Sequence, residues 1–404
     1  MAPILEEQQT AQISQGQSEE RVYENCRIIL AEGIINGGSL RIAEGKIQEI
    51  SSGALSGQAP RTDCLGLSVM PGIIDLHSDA LEKYIEPRPG TVFPMDIALQ
   101  EFDKTLVSFG ISTMYYCVAM VNIDNYGRDL RNTEMAMKIL ATLNAFQNPK
   151  ANTKIHLRYD VLNQEVVPLL GELISEGKID MLSFMDHTPG QGQFHHLENY
   201  KKRHQNHTLL SEAELDRQIE ERQALRRSIP DSVFAAIAAD CHQHGIALAS
   251  HDDDSAEKIQ WARSMDIDIS EFPISLEVLE LAHKEGMRTM VGAPNILLGG
   301  SHSGNLSALE ALDSGYTDII CSDYSPMALF HSLFIASEKL GKPLPELVQK
   351  VSLGPAKALG IEEETGSIAQ GKDADLVFFQ EGGARPQIVK TLVRGQEVFS
   401  ALEL

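Results

Sequence analysis

The stretch Val69-Met70-Pro71-Gly72-Ile73-Ile74-Asp75-Leu76-His77-Ser78-Asp79 reads as a short buried strand with ligand-type side chains at its end. It is an apolar, Ile-rich run bounded by Pro71-Gly72. Residues two apart on a strand face the same way, so His77 and Asp79 project together from the C-terminal end. Imidazole nitrogen and carboxylate oxygen suit zinc, manganese or iron. One such pair says little by itself. Further strand ends of the same kind would make it a site.

Working outward, the middle of the chain alternates strand and helix signals. The runs IIDLHSD, STMYYCV, KIHLRYD, MLSFMDH, IALASHDDD, IDISEFP, RTMVGAP and DIICSDY are strand candidates. Helical patterns such as DIALQEFDKTLVSFG, LEVLELAHKEG and SALEALDSG separate them. Eight strands alternating with helices predict a (β/α)8 TIM-like barrel over 70–364, whose functional residues lie at the strand C-termini. Residues 188–245 exceed an ordinary connection and carry a charged helix, so they are read as an insertion over that face. Short alternating runs over 21–69 and 365–404 predict one small β-sandwich domain built from both termini. Residues 1–20, rich in Gln, Ser and Glu, read as a disordered tail.

The predicted strand ends supply His77, Asp79, Asp160, His187, His251 and Asp323 as metal ligands, with Glu271 in reserve. Asp323 is also the expected general base. His156, His195, His196, His204 and His207 have no comparable placement and read as surface residues. For a phosphorylated substrate, the rim offers Lys83, Arg88 and Arg158, the last on the same strand face as Asp160. Polar loops add Gln191, Asn295, Ser301, His302 and Asn305; glycine-rich backbone next to a helix start can hold phosphate oxygens.

A net charge of −23 makes nucleic acid or an anionic membrane a poor partner, though a local basic pocket can still hold a small anion. No run of apolar residues long enough to span a membrane occurs, and the first residues lack the pattern of a secretory signal. Five scattered cysteines without a C-x-x-C read as buried free thiols of a reducing cytoplasm. Homo-oligomerisation is compatible with the composition but not fixed by it.

These features resemble the amidohydrolase superfamily. Within it, LEKYIEPRPG, HLRYD, MDHTPGQGQF, ASHDD, EFP, GAPNILLGGSHSGN and SDYSP are similar to the PhnM family of phosphonate metabolism, over about residues 22 to 400. The resemblance implies a metal-dependent diphosphatase of the carbon–phosphorus lyase pathway. Its substrate would be α-D-ribose 1-methylphosphonate 5-triphosphate, cleaved to the 5-phosphate and pyrophosphate with the aid of one or two divalent ions, zinc first. Two features depart from the superfamily pattern. His77-Ser78-Asp79 stands where His-x-His is usual, and no lysine marks the bridging position, which leaves Asp160 or Glu271 to supply that carboxylate. By strand counting His187 and His251 fall on strands four and five, one earlier than the superfamily order implies. The alternatives are a C–N hydrolase of the same superfamily (an N-acyl deacetylase or cyclic amidase) and a non-catalytic scaffold of the same ancestry.

Overall fold

The computed structural model describes residues 20–121, 130–192, 197–198, 200–201, 211–300, 305–382 and 385–401. The expected tail (apart from residue 20), Ser301, His302, His195, His196, His204 and His207 lie outside the described residues.

The strands, in chain order, are β1 (Arg21–Leu30), β2 (Gly33–Ala43), β3 (Lys46–Ser51), β4 (Arg61–Asp63) and β5 (Ser68–Pro71). The middle of the chain contributes β6 (Ile73–Ser78), β7 (Ile111–Met120), β8 (Asn152–Asp160), β9 (Met181–Met185), β10 (Ala247–His251), β11 (Ile269–Glu271), β12 (Arg288–Gly292) and β13 (Ile319–Cys321). The chain closes with β14 (Leu376–Gln380), β15 (Gln387–Val393) and β16 (Gln396–Ser400).

Strands β6 to β13 pair in parallel, in sequence order, as an eight-stranded sheet. A parallel bridge between Ser78 and Asp323 joins β6 to the end of β13 and closes the barrel. All eight strands fall where the sequence places them. Their inward positions follow the period of two: Cys117 and Ala119; His156, Arg158 and Asp160; Ala249 and His251; Ile269 and Glu271. The lower interior is apolar, filled by Ile74, Leu76, Tyr115, Met181, Ala249, Ile269, Met290, Ile319 and Cys321. The alternate residues, among them Leu157, Leu182, Phe184, Leu248 and Ile320, pack outward on the helices. Serine caps set two of these helices: Ser255 Oγ accepts from Lys258 N before Ala256–Arg263, and Ser275 Oγ accepts from Val278 N before Leu276–Lys284.

The terminal segments form one sheet in the order β16-β15-β14-β5-β1-β2-β3, with β4 beside β1. Its N-terminal part is mixed rather than antiparallel throughout, because the segment after β3 crosses back and brings β4 and β5 alongside β1 in the same direction. Strand β14 explains the unbroken apolar reading of LVFF. Leu376 and Phe378 enter the sheet's own core with Tyr23, Ile28, Leu40 and Val69. Val377 and Phe379 face the other way, into the barrel's helical layer, where Phe330 lies 5.3 Å from Phe379. A strand buried on both faces needs no alternation. Truncating Phe379 to Ala would cost about 3–5 kcal/mol.

All five cysteines are buried and unpaired, as expected. Among the described residues no helix is long and apolar enough to cross a membrane. The charged helix of the 188–245 segment, Glu212–Ser228, opens with a capping box between Ser211 and Glu214. Its Arg226 Nε donates to Asp186 Oδ2 at 2.8 Å and its Gln223 Nε2 to Pro189 O at 2.9 Å, so it braces the loop that follows β9.

Candidate metal centre

Parallel strands end together at one mouth of the barrel, and three of the ends share an unusual turn. Asp252, Phe272 and Asp323, which follow β10, β11 and β13 closely, have φ of 52°, 55° and 56°. Each amide still donates to a carbonyl of a neighbouring strand: Asp252 N to Glu271 O at 2.8 Å, Phe272 N to Met290 O at 2.9 Å, Asp323 N to His77 O at 2.9 Å. The ladder is kept while the chain turns sharply over it. A non-glycine residue there costs on the order of 1–3 kcal/mol, and such strain collects at functional sites.

His77 reaches the interior by a different device. The β6–β7 register slips between Asp75 and Ser78, an extra residue on β6. Regular alternation would put Leu76 and His77 on opposite faces. Leu76 is in the interior core, yet His77 also meets the interior groups, as a bulge allows.

Glu271 is the centre of the resulting cluster. It is fully buried; its Oε1 accepts from His77 Nδ1 at 3.1 Å and its Oε2 from His251 Nδ1 at 3.0 Å. Phe272 lies edge-on to both imidazoles, 4.9 Å from His77 and 5.3 Å from His251. Arg158 Nη2 lies 3.2 Å from His251 Nε2. Burial, reinforced by the Arg158 guanidinium, holds His77 and His251 well below the ordinary histidine range. Burial works against ionised Glu271, but His156, the hydrogen bond from His251 and the field of Arg158 outweigh it and hold the carboxylate below its usual range. Neutral imidazoles against an ionised carboxylate are a donor set for a divalent cation. One ligand atom each of His77, His251 and Glu271 lies within 4.8 Å of the others, and the same holds for His187, His251 and Asp252. These residues fit a metal ion.

The other expected residues divide by position. Asp160 Oδ2 lies 3.3 Å from His187 Nδ1, so this pair borders the second group. Asp79 and Asp323 meet at the closing seam, where Asp79 N donates to Asp323 O at 2.9 Å. The Asp79 carboxylate is ion-paired with Arg131, which also holds Glu82 with its Nε at 3.0 Å. Arg131 had no signal in the sequence; the contact is tertiary, 52 residues apart. Burial pushes Asp323 up to about 7, with the Asp79 charge adding to it, and burial pushes Asp252 up to about 6. Lys83 Nζ donates to Tyr324 O at 3.2 Å, next to Asp323. Arg88 is exposed on its loop, where its backbone bridges to Thr91; Gln191 is also exposed. Asn295 spends its amide on its own loop, donating to Leu306 O and accepting from Ala308 N. Asn305 is exposed.

One expectation is overturned. His156 is not a surface residue but fully buried, its Nε2 3.7 Å from Glu271 Oε1. The period of two carries it inward: it lies two residues before Arg158 and four before Asp160 on β8.

The comparisons with known proteins bear on the fold and the family. The amidohydrolase family model matches residues 194–398. The alpha-D-ribose 1-methylphosphonate 5-triphosphate diphosphatase of Escherichia coli (strain K12) is 33% identical over 380 residues, covering 94% of this chain and all of that protein. Among solved structures, N-acetylglucosamine-6-phosphate deacetylase from Pasteurella multocida has a TM-score of 0.62 at 15% identity, over 94% of this chain and 99% of its own. A beta-aspartyl dipeptidase from Fervidobacterium islandicum AW-1 has a TM-score of 0.62 at 16% identity, over 95% and 97%. At such identities the two structures speak for the fold alone. The sequence match and the family model go further: this chain belongs to the amidohydrolase family and, within it, to the PhnM branch.

Proposed function

We propose that the protein hydrolyses α-D-ribose 1-methylphosphonate 5-triphosphate to the 5-phosphate and pyrophosphate, with a divalent ion, zinc first, at the mouth of the barrel. The observation that carries this reading is the end-to-end match to the Escherichia coli diphosphatase, which covers 94% of this chain. The chemistry of the mouth supports it. An ion held by His77, His251 and Glu271 would supply Lewis-acid polarisation of a phosphoryl oxygen and acidify a water.

The chain's own groups would do the rest. Asp323, which closes the seam beside Asp79 at the mouth, would take the proton from that water. Arg158, fixed against His251, faces the same interior and would stabilise charge on the phosphates as the bridging P–O bond breaks. Lys83 and Arg88 at the rim would hold the outer phosphates. The free reactants are small molecules of the cytoplasm, in keeping with five reduced thiols.

The experiment is release of pyrophosphate by the purified protein from this triphosphate, before and after metal removal and on re-addition of zinc, manganese or iron. Pyrophosphate release that stops on chelation and returns with the ion is expected. Turnover of N-acyl sugars or cyclic amides with none of the triphosphate would replace this reading with C–N hydrolysis.

A further inference from the structure

Behind the metal centre, the outer face of the barrel wall carries hydroxyls, where Leu182, Phe184, Leu248 and Ile320 on the same face are apolar. Ser250 on β10 and Ser270 on β11 are direct register partners, one residue before the register pair His251 and Glu271. Both serines are fully buried. Asp253, also fully buried, joins them: its Oδ1 accepts from Ser250 Oγ and its Oδ2 from Ser270 Oγ. Its own carbonyl accepts from Ile274 N at 3.0 Å. The carboxyl group is thus a staple across two strands, and it follows directly on Asp252, the residue with φ of 52°.

The wall needs a staple at this point. Strand β11 has three residues, so few ladder bonds fix Glu271 against its neighbours. The groups that must meet come from different strands, with His251 Nδ1 donating to Glu271 Oε2 at 3.0 Å. Asp252 rides on a strained turn, which persists only where its surroundings hold it. Asp253 reaches all three ligands: His251 through Ser250, Glu271 through Ser270, and Asp252 through the backbone they share. As a source of stability alone the arrangement is a poor one. Burying a carboxyl group and two hydroxyls costs free energy that apolar residues of similar volume would not. What a fully satisfied polar network supplies is one fixed arrangement.

We infer that Asp253 is a positioning residue of the metal centre: with Ser250 and Ser270 it holds His251, Glu271 and Asp252 in the geometry a divalent ion needs. The inference rests on the metal centre described above and not on the identity of the substrate. Asp253 acts from behind the wall, through the residues it fixes.

The test reads metal binding rather than turnover. Zinc affinity is measured by competition with a chelator, and the cobalt(II)-loaded protein by visible absorption, whose bands follow ligand geometry. Asp253→Ala removes both links. It should weaken zinc binding roughly 10–100-fold, the range for losing a group that supports a metal ligand, and alter the cobalt spectrum. Asp253→Asn can accept from one serine and donate to the other, so both readouts should return close to those of the unaltered protein. Should Asp253→Ala fail to fold, Ser270→Ala, which cuts the β11 link alone, should alter the spectrum with a smaller loss of affinity. Val377→Ala, which loosens the packing of the terminal sheet on the barrel, should lower thermal stability and leave both metal readouts in place. Unchanged affinity and spectrum in Asp253→Ala, or in Ser270→Ala where that variant must stand in, would overturn the inference. So would a Val377→Ala loss of the same size, or an Asp253→Asn protein that binds as weakly as Asp253→Ala. Zinc retained by no form of the protein would overturn the metal centre and this inference together, whereas equal retention by every form overturns this inference alone.

Discussion

Among the carboxylates that burial pushes up, Asp323 at the barrel mouth reaches about 7 and Asp375 at the seam with the terminal sheet about 6. Their surroundings are opposite. Asp375 Oδ1 accepts from Arg394 N at 2.8 Å, and Oδ2 accepts from Thr365 Oγ1 at 3.2 Å. The Asp323 side chain accepts no hydrogen bond among the described residues, sits on a backbone with φ of 56°, and feels the negative charge of Asp79 and Asp252. A buried acid with satisfied oxygens ties segments of chain together. One on a strained turn at the open mouth, with no protein donor on its carboxylate among the described residues, is placed to meet what enters there. The same contrast separates the two regions: the seam is closed by complementary contacts, whereas the mouth concentrates groups that need something added.

The largest effect should follow from breaking the mouth at Asp323. Asp323→Asn keeps the shape and removes the basicity, so turnover of the triphosphate should fall by about 10²-fold or more. Metal content and thermal unfolding, measured on the same sample, should be little changed. Near-normal turnover with altered stability would make Asp323 a residue of the Asp375 kind and dissolve the contrast.

Next comes Glu271, which accepts from His77 and His251 at once. Glu271→Gln removes the charge that makes the two imidazoles a cation site. Equilibrium dialysis should show metal affinity lower by at least the roughly 10–100-fold that follows loss of a supporting contact. Unchanged affinity would shift the centre to the His187, His251 and Asp252 group.

How legible this was in the sequence depends on the region. The barrel strands could be read because each is a short apolar run and most end in or next to a polar residue, and the terminal sheet because most of its strands alternate. Glu271 was visible as a strand end, but its place between two histidines was not, since that depends on how β6, β10 and β11 converge. His156 was legible in principle: His156, Arg158 and Asp160 are spaced two apart, and Arg158 and Asp160 already defined the inward face. The turns at Asp252, Phe272 and Asp323 carry no glycine to announce them. The β6 bulge, likewise, is visible only in the pairing with β7, where three residues of β6 span two of β7.

A smaller effect should sharpen the mouth further. Arg158 is buried against His251, while Arg88 is exposed on the rim. Each, changed to Ala, should lower kcat/KM for the triphosphate more than His195→Ala does. A charge-assisted contact is worth roughly 1.5–3 kcal/mol, about ten- to a hundredfold, and Arg88, more screened by water, should lie at or below the lower end. Equal and small losses for all three variants would remove the phosphate-binding role from these two arginines.

The smallest effect on activity, and the other half of the contrast, lies at Asp375. Its folded-state affinity for a proton, about 6, exceeds the ordinary 3.8, so the folded chain binds the proton more tightly than the unfolded one. Stability should therefore fall as pH rises from about 4 to about 6 and stay lowered above that. The shift corresponds to at most about 3 kcal/mol at neutral pH, at 1.36 kcal/mol for each unit. Asp375→Asn removes this penalty. The amide oxygen can still accept from Arg394 N, and the amide nitrogen can donate to Thr365 Oγ1, so the seam keeps its contacts. Imperfect geometry of the new amide should reduce the gain to about 1–2 kcal/mol. Asp323 and Asp252 titrate over the same range at the mouth, so the quantity to measure is the difference between the variant and the unaltered protein. Denaturant unfolding at pH 4 and pH 7 should show little difference at the lower pH and a more stable variant at the higher one, with activity unchanged. A variant that is less stable at pH 7 and unchanged at pH 4 would mean that the charge of Asp375, and not its hydrogen bonds alone, holds the sheet to the barrel.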